Sequence, residues 1–349
     1  MRHVWVVLAL FAAVLTVSGC GASESDADLV VYCAHDEVYA REVFDAFEKN
    51  TGIRVRVKYD TEATKSLGLT EAIIAEAGDP RCDVFWNNQL LGTVELKERG
   101  LLEPYQGPGF ARIPEAHKDP QGHYVGFAAR LRVYALNYET WPAAKLDESE
   151  RDAAIEAVLN GNDLSRVAIA RPLYGTTLSH YAVLWHVMGE EKMKAWHQSW
   201  RQRGVIERGG NATTRDLVAQ GVCDIGLTDT DDFFMGRDAG HPITMAPIYI
   251  TDEAGRRRTI CIPNTVAIIR GCKNSDNARR FVDFLLSEEV EILLANSAAR
   301  QVPLGPVDES RLNDDVRLLR RWIEDAYPLT GLHAARMACL EWLKAEYVR

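Results

Sequence analysis

LVVYCAHDEVYAREVFDAFEKNTGIRVRVKYD, residues 29–60, decides the fold. LVVYCAH (29–35) is an unbroken apolar run of strand length. From Val38 to Asn50 the apolar residues Val38, Val43, Phe44 and Phe47 recur at helical spacing, and Thr51-Gly52 ends the helix. IRVRVKY (53–59) alternates with a period of two, as a strand does. Strand, helix, strand at this spacing is a βαβ unit, whose strands lie parallel. The rhythm continues with a helix over 63–77, a short buried strand in CDVFW (82–86) and a helix from Leu90 to Arg99 stopped by Gly100. That order predicts a parallel sheet covered by helices.

Beyond residue 120 the rhythm changes. GHYVGFAARLRVYALNY (122–138) is one long strand-like run without a helix signal. A second alternation follows: VAIARP (167–172), a helix over 176–189, VIERGG (205–210), a helix over 214–221 and CDIGLT (223–228). ITMAPIYI (243–250) and TICIPNTVAIIRG (259–271) read as further strands, 278–296 as one strongly amphipathic helix and 332–347 as a last helix. The expected architecture is α/β with two lobes: 29–128 with 251–305, and 129–250 with 306–349. Crossing strands joining two lobes leave a cleft, and open parallel sheets bind ligands beyond the carboxyl ends of their strands. Those ends are 33–37, 60–64, 86–89, 172–177, 209–214 and 228–232.

The N-terminus sets the compartment. Arg2 and His3 precede the apolar core Val4–Val17, then come Ser18, Gly19 and Cys20. A membrane-spanning helix needs ~20 apolar residues, so this shorter core reads as a secretory signal. Small residues ending on Cys20 read as a lipobox: residues 1–19 would be removed, Cys20 would carry lipid, and 20–28 would form a polar tether. The formal net charge of −10, without a basic run, argues against nucleic acid as a partner. The six other cysteines form no C-x-x-C pair; buried thiols and disulfides both fit them. His180 and His186 are six apart, wrong for a helical zinc pair, and read as structural or surface residues.

GLTDTDDFF (226–234) concentrates the candidate chemistry. Asp229, Asp231 and Asp232, with Asn87 or Asn88, offer oxygen ligands to a hard cation. They can equally take a ligand ammonium, with Trp86 as an aromatic face, or simply begin a helix. Arg130 and Arg132 share one face of the long strand, and one can hold an anion bidentately. Thr176 and Thr177 after Gly175, and Asn211 after Gly209-Gly210, mark helix starts suited to an anion, though without the lysine of a nucleotide loop. Asp36, Asp60 and Glu62 stand at strand ends, where Asp60 and Glu62 fit the expected cleft and a solvated turn equally well.

The segments 31–63, 82–105, 126–139, 221–232 and 277–304 resemble, in order, the solute-binding proteins of bacterial ABC importers. Within them the chain is most similar to the ferric-iron-binding group, a two-lobed type 2 periplasmic-binding fold. The resemblance implies binding without catalysis, a membrane permease as partner, a periplasmic or cell-surface location and a monomer. In that group iron is held by a histidine, a carboxylate and a tyrosine pair. Here those positions carry Asp36 (with His35 just before it), Asn88, and Asp231 with Asp232. Arg130 matches the arginine that holds the accompanying anion. No cofactor is implied beyond a possible bound ferric ion as ligand. The missing tyrosines favour a small zwitterion, such as an amino-phosphonate, as the ligand. Ferric iron or another metal held by Asp231 and Asp232 is the alternative, and a metal-dependent extracytoplasmic hydrolase is the rival from another class.

Overall fold

The structure, a computed structural model, describes residues 27–60 and 67–347. The expected signal segment, Cys20, nearly all of the tether, and Glu62 lie outside the described residues.

The first alternation gives β1 (Leu29–Cys33), α1 (Glu37–Thr51), β2 (Val55–Tyr59), α2 (Leu67–Ala75), β3 (Val84–Asn87), α3 (Leu91–Glu98), β4 (Leu102–Glu103) and α4 (Pro108–Arg112). The long run becomes β5 (Val125–Asn137), followed by α5 (Glu148–Asn160). The second alternation gives β6 (Val167–Ile169), α6 (Gly175–Met188), α7 (Glu190–Gln202), β7 (Ile206–Glu207), α8 (Asn211–Ala219), β8 (Ile225–Asp229) and α9 (Thr230–Asp238). The chain ends with β9 (Ile243–Pro247), β10 (Tyr249–Thr251), β11 (Arg257–Thr259), β12 (Cys261–Ile269), α10 (Ser275–Leu285), α11 (Glu288–Asn296), α12 (Asp314–Ile323) and α13 (His333–Tyr347).

One sheet runs β2-β1-β3-β12-β5-β8-β6-β7, with β4 beside β12 and β9 beside β5. β1 is parallel to β2 and β3, and β6 is parallel to β7 and β8. Between these parallel blocks stand β5 and β12, antiparallel to each other. β3 and β12 are buried along their whole length, as strands covered on both faces must be. One core cluster packs α1 and α10 on β1 and β3 through Phe44, Phe47, Trp86 and Phe281, and another packs α8 and α9 on β5.

β5 bends where Ala128 takes a left-handed backbone (φ 41°). The fully buried Glu291 of α11 holds that bend: its carboxylate accepts from the backbone N–H of Ala128 (3.0 Å), Leu304 (2.8 Å) and Gly305 (3.0 Å). Arg112 supplies the countercharge at 2.7 Å. α13 packs along α6 and also touches α3, where Arg336 and Glu95, both buried, pair at 2.7 Å.

Several expectations change. The single helix over 278–296 is two, because the Ser287 side chain accepts from the Val290 N–H and starts α11 afresh. The run 243–250 splits into β9 and β10, and 259–271 into β11 and β12. Helices α5, α7 and α12 were not anticipated. Val38, assigned above to the apolar face of α1, is 72% exposed. The six described cysteines are free thiols, five of them buried.

Candidate functional site

A cavity of about 250 Å³ opens where four helices begin. α1 starts after Asp36, α6 after Tyr174, α8 after Gly210 and α9 after Asp229, each just beyond the end of a strand. Gly175 (φ +60°) makes the turn into α6 at little steric cost. The dipoles of these helix starts lend the space partial positive charge. Four aspartates (Asp36, Asp229, Asp231, Asp232) oppose two arginines (Arg130, Arg215) around the same space, so carboxylates are in excess.

The three aspartates of the acidic stretch each present an oxygen within 4.8 Å of the others, but they are not equivalent. Asp229 is committed. It accepts from Arg132 Nη1 (2.7 Å), from Asn211 Nδ2 (2.8 Å) and from the Thr176 hydroxyl. Arg132 is wholly buried beneath it and also donates to Asn211 Oδ1 (2.9 Å) and the Leu227 carbonyl (3.2 Å). Asp231, also buried, has Arg130 Nε at 3.3 Å. Asp232 is half-buried; its arginine, Arg215, stands at 3.9 Å and is drawn to Asp216 at 2.8 Å. Asp231 Oδ1 also accepts from the Asp232 N–H at 3.0 Å.

Arg130 lies on β5 and donates to Asn264 Oδ1 at 3.2 Å. Burial works against its charge, but Asp231, Asp229, Asp36 and Asp232 outweigh burial and raise its pKa. Asn88 is 2% exposed and lines the cavity, and its buried Oδ1 makes no hydrogen bond. A buried carbonyl oxygen without a donor is costly unless a cation or ligand donor meets it.

Tyr39, on the first turn of α1, escaped the sequence reading. It is buried in the cavity wall, and its hydroxyl donates to Met235 Sδ of α9 across the opening. Burial, then the charges of Asp231, Asp232 and Asp36, drive its phenol pKa well up against the opposing pull of Arg130. An aromatic residue one turn into an amphipathic helix reads as core, so little in the sequence marked it.

Asp36, Asn88, Arg130, Thr176, Thr177, Asn211, Asp229, Asp231 and Asp232 all line the cavity. Trp86 and Asn87 do not, which corrects the expectation for both. Trp86 is fully buried, stacked on His35 (centroids 5.3 Å) and packed against Phe44 and Phe127. Asn87, also fully buried, donates to Thr93 Oγ1 at 3.1 Å. β3 has no solvent face, so its side chains enter core on both sides. Asp60 accepts from the Leu69 N–H (3.2 Å) at the start of α2 and, among the described residues, is not part of the wall.

A family model described as bacterial extracellular solute-binding protein matches residues 35–292. The chain belongs to that family. Among relatives of this solute-binding protein is the major ferric iron-binding protein of Neisseria meningitidis serogroup A, 26% identical over 317 residues that cover 87% of this chain and 88% of the relative. The fold is the two-lobed type 2 periplasmic-binding fold. It is similar to iron-bound HitA from Pseudomonas aeruginosa (TM-score 0.74, 21% identity, 90% of this chain and 98% of that one). It is also similar to AfuA from Actinobacillus pleuropneumoniae with fructose-6-phosphate bound (TM-score 0.71, 20% identity, 92% and 98%).

Proposed function

We propose that this solute-binding protein is the capture component of an ABC importer and that its cargo is ferric iron, held with a small anion in the cleft between the lobes 29–128/251–305 and 129–250/306–349. The observation that carries the reading is the grouping of acidic oxygens: Asp231 and Asp232 present carboxylate oxygens within 4.8 Å of each other and line one cavity with the Tyr39 phenol, while Arg132 pairs with Asp229. Two carboxylates and one phenolate bring three negative charges to a trivalent hard cation, which prefers such oxygen donors. Asp36 and Asn88 Oδ1 complete the oxygen set from the first lobe. Once Asp231 turns to the metal, Arg130 needs another anion; the starts of α6 and α8 at Thr176, Thr177 and Asn211 seat one beside it. The names of the Neisseria relative and of iron-bound HitA support iron as cargo.

The zwitterion reading loses its aromatic face with Trp86 in the core. It keeps the anion seat, which a relative of this fold with a bound sugar phosphate also favours. Lipidation at Cys20, a monomeric state and presentation of the closed form to a membrane permease belong to the same proposal. Elemental analysis of the protein purified without added ligand, followed by titration with ferric nitrilotriacetate, tests it. One ferric ion per chain, lost in Asp231→Ala with folding intact, is expected. A metal-free protein that ignores iron but gains thermal stability from 2-aminoethylphosphonate would establish the second reading instead.

A further inference from the structure

Arg130 reaches the cleft from a junction of three chain segments. β5 bends at Ala128, the pairing of β12 with β5 shifts register between Ile262 and Asn264, and the segment after α11 joins both. In that segment Val302 and Ala129 exchange two backbone hydrogen bonds of 2.7 Å. Arg300 takes a left-handed backbone (φ 46°) and is moored to Asp238 at 2.7 Å and Asp315 at 2.9 Å. Between these fixed neighbours Gln301 enters the junction with no exposed surface, and Asn264 is equally buried.

Two amides thus stand behind the guanidinium. Asn264 Oδ1 accepts from Arg130 Nη2 at 3.2 Å, and Asn264 Nδ2 donates to the Ala128 carbonyl. A guanidinium can only donate and a peptide carbonyl can only accept, which sets the Gln301 amide the same way. Its Oε1 accepts from Arg130 Nη2 at 2.8 Å, and its Nε2 donates to the Ala128 carbonyl at 3.1 Å. Turned over, Oε1 would gain Asn264 Nδ2 at 2.7 Å, but Nε2 would then face the guanidinium donor to donor. The third group on Nη2 is the His35 ring, with Nδ1 at 3.3 Å. Among the described residues no carboxylate hydrogen-bonds to Nη2; the ion-pair partner Asp231 stands at a different nitrogen, 3.3 Å from Nε. Neutral acceptors replace the water that a buried cation has lost without cancelling its charge, whereas a carboxylate in their place would pair with it.

We propose that Gln301 and Asn264 are positioning residues for a small oxyanion: they fix Arg130 from behind and leave its full charge to the cleft. The proposal rests on the anion-holding role given to Arg130 above, and it applies to either cargo.

Inorganic phosphate is the probe, titrated calorimetrically into the full chain with and without ferric iron. The parent should bind one phosphate. Gln301→Glu, the substitution closest in shape, should weaken phosphate at least tenfold, because the new carboxylate pairs with Arg130. Gln301→Met removes the acceptor without adding charge and should weaken phosphate only a few-fold. Asn264→Asp and Asn264→Leu should repeat that order, and they carry the comparison if a Gln301 variant fails to fold by circular dichroism. A scaffold role alone would give the opposite order, with the apolar variants losing more than the shape-conserving acids. Where iron binds, phosphate should tighten it in the parent and not in Gln301→Glu. Absence of saturable phosphate binding, with or without iron, or equal losses in the acidic and apolar variants, would overturn the proposal. If phosphate binds in the expected order and iron does not bind, the positioning role stands and the iron reading falls alone.

Discussion

Asp229 and Asp231 stand two positions apart and carry opposite burdens. Asp229→Asn removes the countercharge of a guanidinium with no exposed surface, which costs ~3–5 kcal/mol when a buried pair is broken. Thermal denaturation should show a drop of several degrees in the melting temperature. Asp231→Asn weakens a longer buried pair, 3.3 Å to Arg130, so the melting temperature should fall less than in Asp229→Asn, while ferric affinity falls at least a hundredfold by competitive chelation. Tyr39 allows a sharper measurement. Its phenol keeps its proton in the free protein, because burial and three aspartates oppose ionisation. Ferric binding must expel that proton, since metals take the deprotonated ligand. The parent should therefore release one more proton per ion than Tyr39→Phe, read in weakly buffered solution at neutral pH. It should also develop a phenolate-to-iron absorption band that Tyr39→Phe lacks. Much of this was legible in the residues, because strand ends place their loops by rule: Asp36, Asn88, Thr176, Asn211 and Asp231 all came from that reasoning. The rule says nothing about which side chains of a doubly covered strand reach the space, hence the error at Trp86.

At the scale of elements, the bend of β5 depends on one carboxylate. Glu291 satisfies three backbone N–H groups and one arginine from a position without exposed surface. Glu291→Ala strands those donors and Arg112, and equilibrium denaturation should register a loss of ~3–5 kcal/mol. Glu291→Gln keeps one acceptor oxygen and should lose less. The sequence reading ran a single helix through this region because apolar spacing continues from Phe281 to Leu294. What breaks it is the local competition of Ser287 for the Val290 N–H, a capping signal that periodicity outweighed on paper. The short α9 was foreseen as a helix start at the acidic stretch, where the charges themselves were the signal.

For the whole molecule, α13 ties the end of the chain to α3. Burial pushes the Glu95 carboxyl up, but the hydrogen bond and charge of Arg336, followed by those of Arg99, outweigh it and hold the pKa below its ordinary 4.5. A carboxyl depressed on folding stabilises the native state above its ordinary pKa, and that contribution is lost as pH falls through the depressed value. Unfolding free energy should thus decline as pH drops from about 5 to about 3, and less steeply in Glu95→Gln. Two βαβ-rich halves and their crossing strands could be read from alternation alone. The docking of α13 across both could not, since Glu95 and Arg336 lie far apart in the chain and nothing local links them.

The insertion of β12 between β3 and β5 also has a kinetic side. Neither neighbour can complete its ladder until residues 261–269 arrive, so an emerging chain carries two open strand edges for most of its synthesis. Closing so long a loop is slow, because its entropy is lost before the pairing rewards it. Slow closure leaves those edges exposed to aggregation until β12 arrives.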